Sequence, residues 1–90
     1  MNINFDKIAK IYGEEVLFLI KDNLSFVSEN ISFLSCLGFE ESIDIFECFP
    51  HLFIEEPTFF KKKVCDFIKI LGEDYIEILS TNMDLWEELL

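Results

Sequence analysis

Apolar residues recur along this chain at helical spacing, and glycine, proline and asparagine cut the pattern into short segments. Asn4 is placed to cap a first helix, with Asp6 in its first turn, Phe5, Ile8, Ile11 and Tyr12 along one side, and Gly13 at its end. A second helix is predicted from Glu14 to Lys21, with acids at its positive N-terminal pole. Asp22 or Asn23 then caps a helix from Leu24 to Leu37, whose Val27, Ile31, Leu34 and Leu37 follow one face and whose stop is Gly38. Glu40 to Cys48 reads as a short acidic-started helix broken by Pro50. Pro57 opens the clearest helix, running to Leu71 with Phe60, Val64, Phe67, Ile68 and Leu71 inward. Lys62, Asp66 and Lys69 face outward there, Lys62 and Asp66 as an i,i+4 pair of opposite charge. Gly72 ends it. Glu73 to Ser80 and an Asn82-capped Met83 to Leu90 complete the chain. No segment alternates with period two for long enough to demand a strand.

Part of this pattern repeats. Lys10 to Asn23 aligns without gaps on Lys69 to Asn82, and the offset from Gly13 to Gly72 is 72 − 13 = 59 residues. A looser third copy begins at Leu37-Gly38. Self-similarity at such a period marks stacked helical units, an architecture that usually binds rather than catalyses. The expected fold is therefore all-α: a single domain over residues 1–90, with about six short helices stacked as degenerate repeats in a short superhelix or bundle.

Composition sharpens the picture. A chain of 90 residues has little interior, and the 11 phenylalanines supply the large side chains that a small core needs. No run is long and apolar enough for a membrane span, and no secretory leader is visible, so a cytoplasmic protein is expected. Cys36, Cys48 and Cys65 are odd in number and unpaired in spacing, which suits a reducing compartment and three small buried hydrophobes. There is no arginine, no glutamine and one alanine, a bias that fits an AT-rich genome such as a low-GC bacterium or its phage.

Charge carries the functional reading. The net charge is −11, from 18 acids and 7 lysines. Between Lys21 and Lys61 lie Asp22, Glu29, Glu40, Glu41, Asp44, Glu47, Glu55 and Glu56 with no lysine among them. After Lys69 come Glu73, Asp74, Glu77, Asp84, Glu87 and Glu88, again with none. Such a field repels phosphate backbones and attracts basic surfaces. The one basic run, Lys61-Lys62-Lys63, spreads around its helix and is offset by neighbouring acids. Cys48 and His51 have a metal-like spacing, but two ligands do not make a structural zinc site. With no nucleophile motif, no phosphate loop and one histidine, neither catalysis nor a cofactor is expected.

From Ile31 to Leu90 the chain resembles the helical repeats of the mitochondrial transcription termination factor (mTERF) family. The resemblance is carried by Phe33-Leu34-Ser35-Cys36-Leu37-Gly38-Phe39, by Phe49-Pro50-His51-Leu52-Phe53, and by the stretch from Lys63 to Gly72. It implies antiparallel helix pairs stacked into a superhelix. Members of that family bind nucleic acid along a basic concave face, from which this chain departs in charge.

The expected function is that of a non-enzymatic, acidic protein-binding module whose partner is a protein with a basic surface. Glu40, Glu41, Asp44, Glu47, Glu73, Asp74 and Glu77 would stand in for phosphates. Small acidic phage inhibitors of host nucleases, anti-CRISPR proteins among them, are similar in size, charge and genome bias. The alternatives are an mTERF-like contact with nucleic acid through Lys61, Lys62, Lys63 and Lys69, and a homodimer joined through Leu85, Trp86, Leu89 and Leu90. No membrane partner is expected.

Overall fold

A computed structural model describes residues 3–89. The described residues form seven α-helices and a closing 3₁₀ helix, and no strand. They are α1 (Phe5–Tyr12), α2 (Glu14–Asp22), α3 (Leu24–Leu37), α4 (Ser42–Cys48), α5 (Pro50–Phe53), α6 (Pro57–Leu71), α7 (Tyr75–Thr81) and the 3₁₀ helix Met83–Leu89. The all-helical class is as expected, but there are eight helices rather than about six. Pro50 accounts for one: besides ending α4, it takes the first position of α5, where its fixed φ and missing N–H are no handicap.

Several boundaries follow local chemistry. The Asn4 side chain accepts the Lys7 amide at 3.0 Å and caps α1. The helix start at Ser42 leaves Glu40 and Glu41 in the turn before α4 instead of in its first turn. Asn23 and Asn82 do not act as N-caps. Their amides reach back to the helix before, Asn23 to the Leu19 carbonyl at 2.9 Å and Asn82 to the Ile78 carbonyl at 3.1 Å. Two helix ends are built alike: Gly13 (φ 91°) and Gly72 (φ 84°) each donate 2.9 Å bonds to the carbonyl four residues back, and an asparagine closes each following helix. Gly38 is different. It adopts the left-handed conformation (φ 110°, ψ 5°), and the Phe39 amide bonds the Leu34 carbonyl, closing α3 with a Schellman turn.

The core is built on α3, which packs against α2, α4, α5 and α6. Two aromatic groups fill it. Phe33, Phe60, Phe53 and Phe46 run edge to face or tilted from one ring to the next, with centroids 6.4, 5.0 and 5.5 Å apart. Phe39 sits between Tyr75 and Trp86, at 5.9 and 5.5 Å. Trp86 has no exposed surface and Leu89 is nearly buried. The cysteines correct their expectation: Cys36, Cys48 and Cys65 are all exposed, because the larger aromatics occupy the interior.

Helix C-termini are held across the structure by neutral donors. Neither α3 nor α4 has a basic residue in its last turn. Instead, the Tyr75 hydroxyl donates to the Leu37 carbonyl at 2.9 Å. The Tyr12 hydroxyl sits 2.7 and 3.0 Å from the Glu47 and Cys48 carbonyls. Fully buried Asn30 gives its amide to the carbonyls of Phe53 and Glu55, both at 2.9 Å, and so ties α3 to the end of α5. Burial and the nearby Cys48 thiol push the Tyr12 hydroxyl above its ordinary value of 10.0; Lys7 opposes the rise and Glu47 adds to it.

Asn30→Leu strands two carbonyls and is expected to cost about 3 kcal/mol, a fall in Tm of roughly 10–20 °C by thermal melting. Tyr12→Phe is expected to cost about 1 kcal/mol. The folded chain holds the Tyr12 proton more tightly than the unfolded chain. That contribution is whole below pH 10.0 and falls away as pH rises through the higher folded value. Denaturant titrations between neutral pH and pH 11 should therefore show a flatter alkaline loss of stability in Tyr12→Phe.

Candidate functional site

The Gly38 turn and α7 meet closely. The left-handed φ of 110° calls for glycine at position 38, and a Cβ there would also lie 2.7 Å from Ile76 Cδ1, a side-chain end that would have to shift. The Tyr75–Leu37 hydrogen bond fixes the start of α7 at the same place. Beside this junction the chain leaves a cleft of about 320 Å³. Phe39, Ile45, Ile76 and Met83 give it an apolar lining, and Glu40, Glu41 and Ser80 are its polar residues. No lysine or histidine lines it.

Six of the seven acids singled out in the sequence are exposed, and the fold sorts them. Glu40 and Glu41 stand on the turn that forms one wall. The opposite wall is α7, which carries Glu77 next to the lining residue Ile76, with Glu73 and Asp74 just ahead of its first turn. Asp44 lies in the first turn of α4, one residue before the lining Ile45. Among the described residues none of these six has a cation within 4.0 Å. Glu47 departs from the group. Its side chain is 12% exposed and lies 3.2 Å from Lys7 Nζ, so it joins α4 to α1 and is not presented to a partner.

The lysines are divided in the same way. Lys61 pairs with Glu29 at 2.9 Å and lies over the Phe33 ring. Lys63 pairs with Glu55 at 2.8 Å and reaches the Leu89 carbonyl at 3.4 Å. Lys62 and Lys69 remain exposed, and the expected Lys62–Asp66 pair is absent from the ion pairs within 4.0 Å of the described residues. The C-terminal apolar face is also corrected. Trp86 and Leu89 are spent inside the chain and Leu85 is half-buried, while Leu90 lies outside the described residues. His51 lines a separate hollow with Glu55 and Lys63. Among the described residues no group of three or more His, Cys, Asp and Glu side chains is placed to hold a metal ion, and no helix is long and apolar enough to cross a membrane.

Acid counting found Glu40 and Glu41 but missed the apolar floor between them and α7. The available signals were Ile76 and Ser80, spaced i,i+4 on one helix face, and a glycine that lets that face approach. Compared with family models, with curated proteins and with solved structures, the chain matches none.

This sorting separates structural from unspent acids. Glu40→Lys combined with Glu41→Lys is expected to leave stability within about 0.5 kcal/mol of wild type. Glu47→Lys, which sets a second cation against Lys7 where the native side chain is only 12% exposed, is expected to cost about 2 kcal/mol. Urea titration of the two variants reads the difference.

Proposed function

We propose that this chain is a non-enzymatic binding module that takes a basic protein surface into the cleft between the Gly38–Glu41 turn and α7. The observation that carries the reading is the combination in one cleft of an apolar floor, two exposed carboxylates and no cation. Apolar contact supplies affinity, while unpaired carboxylates speed the approach of a basic partner and select against acidic ones. Ser80 has no histidine to activate it, since the one histidine lines another hollow, and this favours binding over hydrolysis.

The partner proposed is a nucleic-acid-binding protein, with Glu40, Glu41, Asp44, Glu73, Asp74 and Glu77 in the place of phosphates, as in a phage-type inhibitor. The likeness to the mTERF repeat is then one of helix packing. Direct contact with nucleic acid is the weaker reading, because Lys61 and Lys63 are already paired with Glu29 and Glu55.

The test is capture of the partner on the tagged chain, with and without nuclease, followed by the same capture on a triple variant carrying Glu40→Lys, Glu41→Lys and Asp44→Lys. A basic protein retained after nuclease and lost with the folded variant is the expected result. Equal retention by the variant counts against the cleft, and nucleic acid alone, lost on nuclease treatment, returns the reading to the lysines.

A further inference from the structure

We propose that the outer face of α6 is a second interaction surface, on which two copies of this chain pair antiparallel about a two-fold axis crossing the helix midway between Lys62 and Asp66. The surface shares no residue with the acid-rimmed cleft, and the inference stands independently of the function proposed for that cleft.

Ile70 is 78% exposed and Phe59 57%, although both belong to a helix whose other face packs into the core through Phe60 and Val64. At about 100° per residue, Phe59, Asp66 and Ile70 fall within about 40° of one another around the helix, with Lys62 alongside. An open hollow of about 340 Å³ lies beside them, lined by Lys63, Asp66, Phe67, Ile70, Glu88 and Leu89. One helix therefore carries an aromatic knob near its start and an apolar-floored socket near its end. Between them stand a cation and an anion one turn apart, Lys62 and Asp66, neither spent on an ion pair among the described residues.

That pattern is complementary to itself. Turned about a two-fold midway between Lys62 and Asp66, Phe59 of one copy comes over the turn holding Asp66, Phe67 and Ile70 of the other, and Lys62 comes opposite Asp66. Each contact is made twice, as an isologous interface requires. The choice of a second copy also follows from charge. Two chains of charge −11 repel over most of their surface. On the outer face of α6 the charges balance: Lys61 and Lys63 are paired with Glu29 and Glu55, which leaves Lys62 and Lys69 beside Asp66 and Glu88. This is the side on which two copies approach at least electrostatic cost.

Sedimentation equilibrium of the full chain in about 0.3 M NaCl, where the screening length falls to roughly 6 Å, tests the proposal. A reversible monomer–dimer equilibrium is expected. Phe59→Ala and Ile70→Asp should each weaken it at least about tenfold. Phe18→Ala, which removes a side chain 58% exposed on α2, should leave it unchanged. Lys62→Asp should weaken the dimer, and adding Asp66→Lys should restore it, because the exchanged pair is again self-complementary. All these positions are exposed, so each variant is expected to fold, which its circular dichroism spectrum checks. Wild type that stays monomeric up to about 1 mM overturns the proposal. So does a dimer indifferent to Phe59→Ala and Ile70→Asp, and so does assembly that grows beyond two copies.

Discussion

Every helix ends in carbonyls that the helix itself does not satisfy, and a chain cut into many short helices has many such ends. This constraint organises the structure. The usual remedy, a lysine or arginine in the last turn, is present in α1, α2 and α6 as Lys10, Lys21 and Lys69 but missing from α3, α4 and α7. Phenols and amides take its place. Tyr75 closes α3, Tyr12 closes α4, Asn30 closes α5, and Asn23 and Asn82 close α2 and α7. Three of these donors come from elsewhere in the chain, so satisfying a helix end and fixing tertiary position are one act. The buried Asn30 amide illustrates it: removing the bond would free the end of α5 from the helix on which the core is built.

The aromatic core and these bonds depend on each other. Phe39 can lie between Tyr75 and Trp86 because the Tyr75 hydroxyl anchors α7 to the end of α3, and because Gly38 admits Ile76. The cleft is a by-product of that junction, an edge where the turn and α7 touch at one end and diverge at the other. Its acids are unspent because the fold uses different ones, Glu29, Glu47 and Glu55, to hold its lysines.

What the sequence revealed follows the range of the interaction responsible. The cap at Asn4, the stops at Gly13, Gly38 and Gly72 and the start at Pro57 are decided within a turn or two, and they read correctly. Asn23 and Asn82 misled because an asparagine between two helices can serve either, and only geometry decides. The short α5 was hidden because Pro50 ends one helix and begins the next. The cysteines misled through competition: the interior went to the largest aromatics, Trp86 among them, and thiols expected inside were left outside. The Tyr12 and Tyr75 bonds span 35 and 38 residues and have no local signature. For the same reason Glu47 looked like its neighbours until Lys7, forty positions earlier (47 − 7 = 40), was beside it.

The neutral helix locks have a consequence for how this chain can change over generations. A scaffold whose ends are held by phenols and amides does not need any particular surface charge to stay shut. Substitutions on the outer turns are then filtered by what the surface meets and hardly at all by folding. If the chain is engaged in a contest with a partner that also varies, its exterior can be repainted quickly while Tyr12, Asn30 and Tyr75 stay fixed. Rapid divergence outside and constancy at three interior donors is the evolutionary record that such a construction should leave.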